Sequence, residues 1–381
     1  MLRARRPLIV GITGTVGKTT TVKMLKAVLT QDAVERRFGS IGVTTSNMND
    51  GWGVPLTVLG QSSYFYGPLW RQLPHWLLLP FRAAWEAIRA DYPRLWILEF
   101  GAGNKGHLKK LTRLTRPTIG VVTSIGAGHL GRLGSIEGVM EEKSALASAP
   151  PPDGLVVLGS GHRFVDELAC RARAPVVVVE GEGLELNRNI VRQVCRALGV
   201  ADALIDTGLA RFSNEPRRLQ RRAVGAIEII DDSHNANPLS MKLGLDTLAA
   251  DAGPGQRKVA LLGGMAELGA GSEAMHRETG AHARRRADLV IGVGEVARAY
   301  QPDVWFPDVG SCARDIGGHL QPRDLILVKG SNSFRLWEAI DALDATADPL
   351  FFSRNAAGPP AASAEALPQA GERQPFPPAR G

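Results

Sequence analysis

The sequence predicts an α/β protein made of two doubly wound units, the first over residues 1–210 and the second over 226–352. Three observations carry this. A β-branched run at 8–10 leads through a Gly/Thr loop into a helically spaced segment. Short apolar runs then alternate with helical segments, the pattern of a parallel sheet covered on both faces. A polar stretch, Arg211-Phe-Ser-Asn-Glu-Pro-Arg-Arg-Leu-Gln-Arg-Arg222, interrupts the alternation and sits in a connection assigned to 211–225, after which the alternation resumes.

The opening element reads Leu8-Ile-Val-Gly-Ile-Thr-Gly-Thr-Val-Gly-Lys-Thr-Thr-Thr21. Val22, Met24, Leu25, Val28 and Leu29 keep helical spacing after it, giving the strand–loop–helix layout of a phosphate-binding loop. Gly14, Thr15, Gly17, Lys18, Thr19 and Thr20 supply the cradle: glycines turn backbone N–H groups inward, and the helix N-terminus adds partial positive charge. Lys18 is expected to reach the β- and γ-phosphates of ATP, and the Thr19 hydroxyl to hold Mg²⁺. Ile12 stands where the strict G-x-x-x-x-G-K-[ST] spacing has glycine, so the loop is a narrower variant.

A short strand at 41–45 and the turn-rich Asn47-Met-Asn-Asp-Gly-Trp-Gly53 follow. Residues 61–93 concentrate Tyr64, Phe65, Tyr66, Trp70, Trp76, Phe81, Trp85 and Tyr92, with Arg71, Arg82 and Arg89 among them. Two readings fit: a helical hairpin over one sheet edge, or an amphipathic segment resting on a membrane surface. Pro74 and Pro80 are expected to break any long helix and favour the hairpin.

Strands are predicted at 95–100, ending in Glu99, and at 118–123, leading into Ser124-Ile-Gly-Ala-Gly-His129. A carboxylate at such a strand end suits a nucleotide-bound Mg²⁺, since an unpaired buried carboxylate is otherwise costly. His129 lies in the loop after the next strand. A helix from Ser135 through Leu146, with Ser135 as its cap, carries Lys143. Strands at 155–158 and 176–179 and a helix at 186–198 complete the first unit.

The second unit begins with a strand at 226–230 running into Asp231-Asp-Ser-His-Asn-Ala-Asn-Pro238, and strands recur at 259–262, 289–293 and 325–328. Asp231 and Asp232 suit a ribose contact, a metal site or a helix cap. Asn235 and Asn237 precede a helix that either can cap. Lys329-Gly-Ser331 follows the last strand, a third place where a cation and backbone N–H groups can meet an anion. Residues 353–381, rich in Pro, Ala, Gly and Gln, cannot bury a core and are expected to be disordered.

Composition narrows the function classes. The chain is 44% hydrophobic and 22% charged, with net charge +7. The basic residues are scattered without interleaved aromatics, so anionic small molecules rather than nucleic acid are the expected partners. Cys170, Cys195 and Cys312 are too few for a zinc cluster or disulfide framework, which suits a reduced, cytoplasmic protein. No signal peptide is expected from the basic opening residues and the short apolar run after them, and no apolar run is long enough to span a bilayer.

Taken together these blocks resemble the Mur ligases, ATP-dependent enzymes that join a carboxylate to an amine. The resemblance is carried by Gly14-Thr-Val-Gly-Lys-Thr-Thr-Thr21, Asn47-Met-Asn-Asp50, Leu98-Glu-Phe-Gly-Ala102, Gly128-His-Leu130 with Lys143, Arg218-Leu219, Asp231 through Met241, Leu262 through Gly269 with His276, and Val328-Lys-Gly-Ser331. It implies a phosphate-loop central ATPase domain followed by a Rossmann-like C-terminal domain. It implies that Lys18 and Thr19 bind ATP and Mg²⁺ together with Glu99, that His129 holds a second Mg²⁺, and that Lys143 falls where many members carry a carbamylated lysine. Arg218 would reach the γ-phosphate, Asn235 the adenine side with Asn237 beside it, and Lys329 and Ser331 the incoming amine. The implied chemistry runs through an acyl phosphate to an amide, ADP and phosphate, in peptidoglycan or cell-envelope synthesis.

Departures shape the expected substrate. The phosphate loop begins at residue 11, with no counterpart of the domain that grips the UDP-linked substrate in most members. His234 and Gly264 stand where the nearest branch has Tyr and Asp. Relatives that act on poly-γ-glutamate or on lipid-linked acceptors also lack that domain, so a polymer-linked or lipid-linked carboxylate is expected as readily as a small one, with peripheral contact at the inner membrane face through 61–93. The alternatives are a cell-wall ligase completed by another chain, and a non-catalytic nucleotide-binding scaffold.

Overall fold

A computed structural model describes residues 2–45, 48–63, 69–214 and 216–346. Asn47, Tyr64, Phe65, Tyr66 and the tail at 353–381 lie outside the described residues.

Two six-stranded sheets organise the chain. The first contains β1 (Leu8–Thr13), β2 (Ile41–Val43), β3 (Leu95–Glu99), β4 (Ile119–Val122), β5 (Leu155–Gly159) and β6 (Val176–Val179), in the order β2-β3-β1-β4-β5-β6. All its pairings are parallel. Continuous burial over residues 9–13 of β1 and along β3 and β4 gives the unbroken apolar runs expected of strands covered on both faces. Alternate side chains feed two cores: Ile9, Trp96 and Leu98 enter one, Val10, Ile12, Leu95 and Ile97 the other. The order reverses at β1, which lies between β3 and β4. That reversal makes a crevice at the carboxyl ends of these strands, the place where open α/β sheets bind ligands.

The second sheet contains β7 (Gln220–Val224), β8 (Ile227–Asp232), β9 (Lys258–Gly263), β10 (Leu289–Val293), β11 (Val304–Phe306) and β12 (Leu325–Lys329), in the order β11-β10-β9-β12-β8-β7. Only β7 runs antiparallel, against β8. The sequence places residues 220–224 in the connection, but they form a strand whose exposed residues, Arg221 and Ala223, alternate with the partly buried Gln220 and Arg222 and the buried Val224, as on a half-covered edge. A second core pair, built on Ile229, Val259 and Ile326 and on Ile230, Ala260 and Leu327, covers the two faces. All three cysteines are free; burial pushes the Cys195 and Cys312 thiols up to about 12, which leaves them inert.

The aromatic stretch departs from expectation. Residues Leu69–Ile88 form one 20-residue helix that continues through Pro74 and Pro80, not a hairpin broken at the prolines. Each proline removes one i→i−4 hydrogen bond, and both rings lie on the solvent side. Tertiary bonds hold the C-terminal half: Arg82 donates to the Leu59 and Gly60 carbonyls at 2.8 Å, and Arg5 donates to the Ala87 and Arg89 carbonyls at 2.8 and 2.6 Å.

Candidate active site

The phosphate loop follows β1. Gly14 and Gly17 take positive φ, and a Cβ would meet Thr123 Oγ1 at 1.9 Å in the first case and Asn187 Oδ1 at 2.5 Å in the second. Glycine is therefore required sterically at both places as well as conformationally. The far wall of the loop comes from the β4 end. Thr15 N–H donates to the Ser124 carbonyl and Val16 N–H to Ser124 Oγ, both at 2.9 Å; Thr123 Oγ1 donates back to the Val16 carbonyl. Gly17 sits at the N-cap of helix Lys18–Leu29, and no side chain caps that end. The helix N-terminus is thus left to an anion. Thr19 and Thr20 lie half-buried in its first turn.

Lys18 Nζ folds back and donates to the Gly14 carbonyl at 2.7 Å and the Thr15 carbonyl at 3.3 Å. Lys143, fully buried on helix Ile136–Ala147, donates to the same Gly14 carbonyl at 2.9 Å. Two ammonium groups thus converge on one carbonyl oxygen. Burial lowers the Lys18 pKa, Glu99 opposes the fall and Arg218 adds to it. Burial brings Lys143 well below its ordinary value, Lys18 adding to the fall while Glu142 and Glu99 oppose it. These influences place Glu99 and Arg218 in the same electrostatic neighbourhood as the two lysines.

Glu99 is the buried last residue of β3 and lies in register opposite Ile12. Its Oε1 accepts from Asn49 Nδ2 at 2.8 Å, and its N–H donates to Thr44 Oγ1 at 3.0 Å. Among the described residues no three His, Cys, Asp or Glu side chains gather as a metal cluster. A hydroxyl and one carboxylate beside a phosphate cradle do fit Mg²⁺, which takes few protein ligands and completes its shell with substrate phosphates and water.

His129 takes φ 58°, uncommon for a residue with a side chain. Its Nδ1 bonds Glu267 Oε2 at 2.6 Å, and the Glu267 carbonyl accepts from Gly131 N–H at 2.9 Å. Burial, then Lys18 and Lys143, lower its pKa, while Glu267 acts in the opposite direction. The neutral ring that results can ligate through Nε2, with Glu267 behind it fixing its orientation.

The second unit brings up Arg218. Its neighbours Arg217 and Leu219 hold positive φ, and the segment is anchored by His234 N–H to the Arg217 carbonyl (3.1 Å) and Leu219 N–H to Asp232 Oδ1 (3.2 Å). Other predicted site residues are engaged inside the unit. Asn237 caps helix Pro238–Asp251 in a reciprocal box with Ser240, so of the two roles left open for this pair the structure shows the cap. Asn235 is exposed, its Oδ1 accepting from the next peptide N–H. Lys329 is 1% exposed and pairs with Asp232 and the Asn235 carbonyl, so the anion it meets is one of this chain's own carboxylates. Ser331 Oγ accepts from Ala266 N–H at 2.8 Å. At Gly264 a Cβ would strike Val296 and Phe334 at 2.3 and 2.4 Å, so these side chains fill the space next to that backbone.

Three contributors were not singled out as site residues from the sequence, although Glu267 lies in the 262–269 block. Asn187 packs against Gly17 and accepts from Thr21 Oγ1 at 3.3 Å. Glu142 accepts from the Gly106 and Leu108 N–H groups and stands beside Lys143. Glu267 orients His129.

Comparison with known proteins identifies both units. The Mur ligase middle domain matches residues 12–63 and 83–190, and the Mur ligase glutamate ligase domain matches 217–332. A UDP-N-acetylmuramoyl-tripeptide–D-alanyl-D-alanine ligase of Synechocystis sp. is 27% identical over 374 residues, covering 88% of this chain and 74% of its own. Among solved structures, MurF from Acinetobacter baumannii superposes with a TM-score of 0.74 at 22% identity, covering 90% of this chain and 78% of its own. MurF ligase from Thermotoga maritima in complex with ADP gives 0.71 at 21%, covering 90% and 82%.

Proposed function

The chain belongs to the Mur ligase family, ATP-dependent ligases that join a carboxylate to an amine, and we propose how its own residues perform that reaction. The observation that carries the proposal is the convergence of Lys18 and Lys143 on the Gly14 carbonyl, with Glu99 and Arg218 acting on the same charges.

The loop amides from Gly14 to Thr19 and the open helix N-terminus receive the nucleotide phosphates. Lys18 exchanges its bonds to the Gly14 and Thr15 carbonyls for phosphate oxygens, and Arg218 faces the γ-phosphate from the other unit. Thr19 and Glu99 would hold Mg²⁺, which when bound supplies charge stabilisation to the phosphates. An acceptor carboxylate oxygen attacks the γ-phosphorus, the bond to the β-phosphate oxygen breaks, and ADP leaves with an acyl phosphate formed on the acceptor. The amine nitrogen then attacks the acyl carbon, sheds a proton, and phosphate departs with the former carboxylate oxygen. Positioning and charge supply most of the acceleration in such transfers.

His129, neutral and held by Glu267, has Nε2 available for a second cation on the acceptor side. Burial lowers the Lys143 pKa and so favours its neutral amine, which can add CO₂ with loss of one proton to leave an anion suited to that cation. The carboxylate and amine named for the relatives, a UDP-N-acetylmuramoyl-tripeptide and D-alanyl-D-alanine, head the candidate substrates, followed by polymer-linked and lipid-linked carboxylates.

The test is hydroxylamine trapping across a panel of these carboxylates, with ADP release followed in parallel. A hydroxamate that forms only with ATP and one class of acceptor is expected. ATP turnover that ignores every acceptor and yields no hydroxamate overturns the proposal.

A further inference from the structure

The helix Leu69–Ile88 turns its apolar side outward. At 100° per residue Leu73, Leu77, Phe81, Trp85 and Ile88 share one arc of about 120°, with Leu78 at its border. These six side chains are 51–73% exposed. The face packed on the protein instead carries Glu86, 3% exposed and bonded to Arg89. An ordinary surface helix has the opposite polarity. Six large side chains exposing roughly 100 Å² each reach the upper limit of the apolar patch a soluble monomer shows.

Charge says what covers the patch. Arg82 and Arg89 line one border of the arc, and the helix's only acidic residue, Glu86, points inward. Arg89 already pairs with Glu86 and the exposed Asp91, so an isologous pairing of two copies would bring Arg82 up to its counterpart with no further carboxylate on either helix, and a stable dimer needs about 800 Å² from each partner. An apolar face bordered by arginines and bearing tryptophan and phenylalanine has the composition of a helix lying at a lipid interface. No helix among the described residues is long and apolar enough to cross a membrane. The Mur ligase middle domain matches up to residue 63 and resumes at 83, so most of this helix lies outside the family framework. It is nevertheless tied to the site: Trp76 meets the ring of Trp52 edge-on at 5.6 Å, and Trp52 N–H donates to Asp50, next to the Asn49 that holds Glu99.

We propose that the helix Leu69–Ile88 is a docking element that seats its Leu73–Ile88 apolar face in an anionic lipid bilayer, with Arg82 and Arg89 at the headgroups. Seating it there places the Asn49–Gly53 loop beside the membrane surface. This inference does not depend on the ligase chemistry and is read by binding alone.

The experiment is flotation of the full chain with vesicles of phosphatidylcholine alone and of phosphatidylcholine mixed with phosphatidylglycerol, alongside a Leu77→Glu/Phe81→Glu variant. Leu77→Ser/Phe81→Ser covers the case in which glutamates unsettle the helix, and acceptor-independent nucleotide binding by each variant reports that the protein is folded. Wild type should float with the anionic vesicles, release on raising salt, and lose at least about tenfold in partitioning in either variant. Failure of wild type to float, or equal flotation of the variants, overturns the proposal. So does a wild-type dimer that the substitutions dissociate without any lipid binding, because the occupant is then a second copy.

Discussion

Replacing Glu267 by glutamine separates stability from function in a way the geometry specifies. The side chains of His129 and Glu267 are 34% and 40% exposed, and their contact joins two segments 138 residues apart. At that exposure such a contact contributes at most about 1 kcal/mol, which in a protein of this size shifts the melting temperature by a few degrees at most. Glutamine takes the same space, and the backbone bond from Gly131 N–H to the residue 267 carbonyl is untouched. What is lost is the carboxylate that fixes the His129 ring and its tautomer. Removing such a partner behind a ligating histidine typically costs about 10- to 100-fold in metal affinity or activity. Glu267→Gln should therefore melt within a few degrees of wild type while its acceptor-dependent ADP release falls about tenfold or more. Thermal denaturation and steady-state kinetics at saturating ATP read both quantities. Turnover within about twofold of wild type would refute the positioning role, and a large loss of stability would show the contact to be structural.

Two further outcomes follow from buried groups. Lys143→Met keeps the side-chain length but removes a desolvated amine whose bond is to Gly14; the melting temperature should hold or rise while turnover drops at least about a hundredfold. Unchanged turnover in that variant would remove Lys143 from the site. His276 is buried with Nε2 accepting from Met265 N–H at 2.9 Å, and burial lowers its pKa below the ordinary 6.5. The folded state thus favours the neutral ring, so its stabilising contribution is complete above about pH 6.5 and declines as the pH falls below it. Urea midpoints at about pH 7.5 and about pH 5.5 should drop more for wild type than for His276→Gln, and equal drops would contradict that assignment.

The elements that were legible from the sequence are those whose physics is local. The β-branched run and the Gly/Lys/Thr loop announce β1 and its helix, because the phosphate-loop geometry is written in adjacent residues. The buried apolar run ending at Glu99 places that carboxylate at a strand end, and parallel pairing to β1 brings it level with Ile12. Legibility stops where partners are remote. Glu267 reaches His129, and Asn187 reaches Thr21, across more than a hundred residues; the 262–269 block contains Glu267 without indicating that partner, and Asn187 stands in no pattern that marks it. Local rules also mislead when tertiary bonds outweigh them. Pro74 and Pro80 signal a helix break, yet Arg5 and Arg82 pin the helix through its carbonyls and the preceding loop. The polar 220–224 segment looks like a connection, but it supplies the antiparallel edge of the second sheet. The sequence singled out 61–93 by its aromatics, but only the three-dimensional arrangement distinguishes an apolar face turned inward from one turned outward.

The central claim is that ATP activates a carboxylate by phosphorylating it within the cradle of Lys18, Lys143 and Arg218. Its most direct test supplies the acceptor with ¹⁸O in the carboxylate and follows the label by mass spectrometry of the products. The proposed chemistry predicts ¹⁸O in the inorganic phosphate, with one labelled oxygen for each amide formed and none in ADP, and with both products lost in Lys18→Ala. Label appearing in AMP, or amide formed with unlabelled phosphate, would contradict it.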